Sequence, residues 1–129
     1  MIGMDVEDEP TIDELYPARR LLDQIADKWT PIVLFCLASG TSRFGVMHRK
    51  IPGLSKKMLT QVLRRLERDG LVHRTVFRVV PPKTEYVLTD LGRRLHEPVA
   101  QLCRWAEDNV DVLDAIEQSR AEAESSEAG

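Results

Sequence analysis

Residues 53–70, GLSKKMLTQVLRRLERDG, constrain the fold more than any other stretch of the chain. Met58, Leu59, Val62, Leu63 and Leu66 recur at the 3.6-residue spacing of a helix and leave one apolar stripe. Ser55 is placed to cap the first turn, and Gly70 to end the helix in the left-handed conformation. The other face holds Lys56, Lys57, Thr60, Gln61, Arg64, Arg65 and Arg68, with Glu67 and Asp69 only near the end. A helix that merely meets water mixes its signs. Positive charge gathered on one side suggests a polyanion.

The totals hide this charge, because the 129 residues carry a net charge of −3. The charge is segregated along the chain. Between residues 43 and 84 stand Arg43, Arg49, Lys50, Lys56, Lys57, Arg64, Arg65, Arg68, Arg74, Arg78 and Lys83, against Glu67 and Asp69 alone. The acidic residues collect at the two ends, in DVEDEP and in EQSRAEAESSEAG. Such polarity raises nucleic acid as a partner in spite of the acidic total.

Other functional classes find little support. No apolar run approaches the roughly 18 residues of a membrane span, and the acidic N-terminus lacks a signal-peptide layout, so a cytoplasmic protein is expected. Cys36 and Cys103 have no CxxC spacing, and His48, His73 and His96 are scattered over different elements, so no metal site is expected. Both cysteines read as packing residues, and a disulfide between them is not expected in a reducing compartment. There is no glycine-rich phosphate loop, no His–carboxylate constellation and no activated nucleophile. Neither an enzyme nor a cofactor is expected.

The rest of the chain supplies elements around the basic helix. Residues 1–11 read as a disordered acidic leader, 12–118 as one folded domain and 119–129 as a fraying tail. Residues 11–29 predict a first helix with Pro17 near its start. TPIVLFCLASG predicts a second, apolar nearly all round, with Thr30 as cap and Pro31 at the first helical position. A short third helix follows, capped by Ser42 and stopped before Pro52-Gly53. After the basic helix come two strands, LVHRTVFRVV and TEYVL, joined by a turn at Pro81-Pro82-Lys83. Thr89 then caps one long helix to about residue 118, with Gly92 and Pro98 weakening its first turns. The fold class is mainly α with a two-stranded β-wing, a winged helix-turn-helix whose recognition helix is the basic one.

This order, with the segments DKWTPIVLFCL, RFGVMHRKIPGLSKKMLTQVLRRLERDGLVHR, VPPKTEYVLTDLGRRL and LCRWAED, resembles the HxlR-type branch of the winged-helix transcription regulators. The similar residues run from about Tyr16 to Asn109. The resemblance implies a homodimer built on the first and last helices, bound to a pseudo-palindromic operator on double-stranded DNA. The chain departs from it at Tyr16, where many members carry a cysteine that in several senses electrophiles or oxidants. Thiol sensing at that position is therefore absent, and a small-molecule effector stays open.

Residue roles follow from spacing. Lys57, Thr60, Gln61 and Arg64 form one strip suited to base edges, since Gln reads adenine and Arg or Lys reads guanine. Arg43, Ser55, Lys56, Arg65, Arg68, Arg78 and Lys83 stand where phosphates or the wing would be met. Leu95, Val99, Leu102, Ala106, Val110 and Leu113 repeat along the last helix like a coiled-coil seam and are expected at a dimer interface. Trp29 and Trp105 are expected in the core, at that seam or in a small pocket. Two rival readings use the same basic face: a protein-interaction module with an acidic partner, and a sequence-tolerant architectural DNA binder. Preference for a cognate promoter over random DNA separates them from a specific regulator.

Overall fold

Thr30–Ala38, the stretch that reads as apolar all round, becomes the helix about which the others assemble. The structure, a computed structural model, describes residue 9 and residues 11–128. Along it run α1 (Pro17–Ile25), α2 (Thr30–Ala38), α3 (Phe44–Lys50), α4 (Lys56–Arg68), β1 (Val72–Phe77), β2 (Lys83–Leu88), α5 (Asp90–Asp108) and α6 (Val110–Ala128). Val33 and Leu34 of α2 are wholly buried with Met47 of α3, Leu59 of α4 and Val99 of α5, and Leu63 and Leu66 are nearly so. Leu59, Leu63 and Leu66 of the α4 stripe thus face the core, while Val62 is half-buried and Met58 stays exposed, and the basic face is turned outward. Among the described residues, no helix is long and apolar enough to cross a membrane.

The wing is antiparallel, in register from Val72 opposite Leu88 to Phe77 opposite Lys83. It has a third edge that alternation does not reveal. Arg43 forms a β-bridge with Glu85, and the Tyr86 N–H donates to the Ser42 carbonyl at 2.8 Å. The segment entering α3 is thereby tied to the wing. Ser42 is consequently not the cap expected of it; Arg43 holds the N-cap position of α3 without a side-chain cap.

Several boundaries differ from the sequence reading. α1 starts at Pro17 and stops at Ile25, leaving the rest of the expected first helix in turns. Thr30 is the first residue of α2 and not its cap. Asp27 takes that task, its Oδ1 accepting from the N–H groups of Trp29 at 3.0 Å and Thr30 at 2.8 Å. Ser55 and Thr89 cap α4 and α5 as expected, accepting from Met58 N and Gly92 N. Gly70 has the positive φ of a left-handed terminus, +76°. The expected leader falls almost entirely outside the described residues.

The last helix is two helices. Asn109, at φ −130° and ψ 37°, ends α5, and its side-chain Nδ2 donates to the Trp105 carbonyl at 2.8 Å. Its own carbonyl accepts from Val112 and Leu113, opening α6. The expected continuous seam is thus divided, with Leu95 to Ala106 on α5 and Val110 and Leu113 on α6. Val99 drops out of it altogether, because its side chain is wholly buried in the core of its own chain. Residues 119–128, expected to fray, continue α6 as regular helix.

Gly92 is a packing requirement and not a weakness of α5. Thr89 N donates to the Leu71 carbonyl at 3.0 Å, bringing α5 down onto the end of α4. A Cβ on Gly92 would stand 2.1 Å from that same carbonyl oxygen. Gly92→Ala is expected to lower the urea midpoint by an amount equivalent to about 1–3 kcal/mol with an unchanged m-value, the pattern of an overpacked native state. A variant as stable as wild type would show that α5 can lift from Leu71 without loss.

Candidate nucleic-acid interface

Three elements converge on one side of the molecule: the start of α3, the outward face of α4 and the wing. The convergence follows from the fold. The α4 stripe is committed inward, and the β-bridge at Arg43 pins the start of α3 to β2. Between them lies a cleft of about 750 Å³ reached by Arg43 and Phe44, by Thr60 of α4, and by Val79 through Thr84 of the wing. A smaller cleft of about 220 Å³ is lined by Thr60, Arg64, Glu67, Arg74 and Tyr86. Thr60 and Arg64 therefore face the wing, and Tyr86 stands between wing and helix.

The expected base-reading residues are brought together on this side. Lys57, Gln61 and Arg64 are exposed and, among the described residues, have no side-chain hydrogen bond or ion pair. Thr60 is half-buried, and its hydroxyl donates back to the Lys56 carbonyl at 2.8 Å. Lys56 and Arg68 are exposed at the two ends of α4, and Arg78 is exposed in the wing.

Other expected phosphate contacts are already engaged within the chain. Arg65 lies at the edge of the expected strip, turned toward α2, where its Nη2 donates to Asp27 Oδ2 at 3.3 Å and to the hydroxyl of buried Thr30. It joins α4 to the start of α2, so its guanidinium is already engaged within the chain. Ser55 spends its oxygen on the α4 cap, at 3.1 Å from Met58 N. Arg43 Nε and Lys83 Nζ lie 3.7 and 3.5 Å from one oxygen of Glu85, and Lys83 also sits 4.9 Å over the Phe77 ring. Arg74 pairs with Glu67 at 3.6 Å. Sequence reasoning missed Asp27, Glu85 and Tyr86. The only signal for them was acid or hydroxyl standing near cation in a fold not yet built.

The ionisable groups respond to these surroundings. Burial raises the Asp27 pKa, but the Thr30 and Trp29 hydrogen bonds and the Arg65 charge outweigh it and leave the carboxyl below its ordinary value. Burial, aided by Glu67, raises the Tyr86 phenol against the opposing charges of Arg74 and Arg64. Burial and then the Glu107 charge raise the Cys103 thiol, which Arg104 only partly counters. Among the described residues, no group of three His, Cys, Asp or Glu could hold a metal ion.

The Asp27 shift fixes a pH window. A carboxyl whose folded pKa is depressed adds stability above its unfolded value, near pH 4, and loses it as the pH falls through the lower folded value. Asp27→Asn keeps a cap acceptor and removes only the charge. Wild type is expected to exceed the variant by up to about 1 kcal/mol at neutral pH, since the pair is partly exposed and screened. The difference should shrink below about pH 4 in urea titrations. A difference that does not change with pH would assign the role of Asp27 to shape alone.

Comparison with known proteins agrees with this geometry. Residues 24–114 match the family model described as HxlR-like helix-turn-helix. The HTH-type transcriptional regulator YtfH of Escherichia coli K12 is 43% identical over 108 residues, spanning 84% of this chain and 86% of the relative. YybR of Bacillus subtilis 168, also an HTH-type transcriptional regulator, is 44% identical over 99 residues, 77% of this chain and 79% of its own. Among solved structures, the transcriptional regulator ytfH of Salmonella typhimurium superposes with a TM-score of 0.71 at 39% identity, over 85% of this chain and 99% of that one. The redox regulator HypR in its reduced form gives 0.72 at 44% identity, over 78% and 99%. With the winged helix-turn-helix in place and a basic helix on its open face, this chain belongs to the HxlR-like family of DNA-binding transcription regulators.

Proposed function

We propose that the protein acts as a homodimer on a pseudo-palindromic operator, with α4 in the major groove. The observation that carries the reading is a division of labour on α4. Arg65 and Ser55 serve the fold, whereas Lys57, Gln61 and Arg64 are exposed without side-chain partners among the described residues. Gln61 and Arg64 are the residues of choice for adenine and guanine, and Lys57 and Thr60 complete the strip. Lys56, Arg68 and the wing residue Arg78 meet phosphates, which position the helix without specifying sequence.

Gln61→Ala and Arg64→Ala are each expected to cost about 1–3 kcal/mol on the preferred site, with a smaller effect on random DNA. Lys56→Ala should weaken all sequences about equally and make the salt slope shallower by roughly one unit. Site selection from a random duplex library checks both. An unchanged motif for Arg64→Ala would remove α4 residue 64 from the reading strip.

The dimer reading rests on apolar surface. Leu102, Trp105 and Val110 are 58, 51 and 52% exposed, and Ile32 and Phe35 of α2 are 42 and 41% exposed. Leu95, Ala106 and Leu113 are half-buried alongside. A second copy covering Leu102, Trp105, Ala106, Val110 and Leu113 removes this surface from water and sets two α4 helices about 34–36 Å apart, one duplex turn. Leu102→Glu with Val110→Glu is expected to give folded monomers that lose operator preference. Sedimentation of wild type as a monomer at micromolar concentration would defeat the dimer.

Redox control, the role named for HypR, is not carried over to this chain. Tyr16 stands where a sensing thiol would be, Cys36 is buried, and Cys103 has a raised pKa that disfavours the reactive thiolate. Operator binding is expected to survive mild peroxide or diamide. Release of wild type but not of Cys103→Ser would make Cys103 the switch.

A further inference from the structure

Two of the cations on the DNA-facing side are held by one carboxylate. Glu85 lies in the middle of β2, opposite Thr75, and its backbone bridges Arg43. Its Oε1 lies 3.7 Å from Arg43 Nε and 3.5 Å from Lys83 Nζ. Arg43 comes from the entry to α3 and Lys83 from the start of β2 beside the turn of the wing, so the carboxylate joins two elements. The Arg43 and Lys83 side chains remain 58 and 34% exposed, open to an anion from solvent, while Glu85 is 25% exposed beneath them. Both cations also line the larger cleft between α3, α4 and the wing.

We propose that Glu85 is an internal competitor of DNA phosphate for Arg43 and Lys83, and so limits the sequence-independent part of binding. The proposal rests on the DNA-binding reading above. In the free protein the trio presents a net charge of +1 where two cations would present +2. A phosphate that approaches has to share or displace the carboxylate. Non-specific binding is almost wholly electrostatic, so this competition acts on it with nothing to offset it. Operator binding has base contacts on α4 to draw on as well. The carboxylate thus keeps the protein from being held on random duplex while still orienting the two side chains.

The test is Glu85→Gln, which keeps the size and the acceptor oxygen and removes the charge. Binding to a short random-sequence duplex is measured by anisotropy across a salt series. The variant is expected to bind about five- to ten-fold more tightly near 0.1 M salt, with a slope of log K against log salt steeper by about 0.9, the release of one more counterion. Adding Arg43→Gln to the variant should cancel most of the gain. Equal or weaker binding by a Glu85→Gln protein that melts like wild type would overturn the proposal and leave Glu85 a structural tie. Should the variant not fold, the wild-type Arg43 Nε–H resonance decides: it should move on titration with random duplex and return at high salt. No movement at saturation would overturn the competition. A wild-type protein with no salt-dependent duplex affinity at all would instead remove the DNA-binding reading itself.

Discussion

The burial of one face of α4 against α2 is the constraint on which the remaining geometry depends. Leu59, Leu63 and Leu66 enter a core already occupied by Val33 and Leu34, and an apolar side chain buried in such a place contributes roughly 1.5–3 kcal/mol. With those residues committed, the helix has no rotational freedom left. Its cationic strip must face outward, toward the wing that follows directly after Gly70. Arg65 fixes the edge of that arrangement. Its guanidinium meets Asp27 and Thr30, and the same Asp27 caps α2. One carboxylate thus ties the start of the central helix to the edge of α4.

The fold was legible wherever a periodic pattern met a chemical stop signal. Ser55 with Gly70, and Thr89 before an apolar repeat, bracket α4 and α5 without reference to anything distant. The third edge of the wing was not legible, because Arg43 and Glu85 are 42 positions apart by number and their bridge requires β2 to be in place first. The break at Asn109 was hidden for a different reason. An apolar repeat continues across it through Ala106, Val110 and Leu113, and an asparagine inside a helix is only mildly unfavourable. What ends α5 is the side-chain amide turning back onto the Trp105 carbonyl, a local competition with the backbone that spacing does not encode.

At the interface, residue type was legible and commitment was not. The sequence places ten or so cations in one region, yet a cation offered to DNA and one spent on the fold look alike in a string of letters. Helical position separates them only in part. Arg64 and Arg65 are adjacent, about 100° apart around the helix, and that angle sends one toward the wing and Tyr86 and the other toward Asp27. Val99 shows the same limit among apolar residues. It shares a repeat with Leu102, but α5 rests on α2 along Val99 and leaves Leu102 on the outside.

The exposed apolar residues of the last two helices carry a structural argument of their own. α6 is 19 residues long, and its side chains from Glu117 to Glu127 are exposed. The exposed stretch by itself is shorter than the roughly 12–15 residues below which an isolated helix is marginal in water, so it depends on the first turns of α6 being held. Its large apolar residues Val110, Val112, Leu113 and Ile116 all fall in its first two turns, which follow directly on Leu102 and Trp105 at the end of α5. Covering that junction by a second copy would stabilise the part of α6 that can be packed. The acidic remainder, from Glu117 onward, would project beyond it. Repulsion between that acidic end and phosphate would favour placing it away from a bound duplex. An interface at the α5–α6 junction would in this way be compatible with DNA bound at α4, because the acidic end is repelled by phosphate and not by α4 itself.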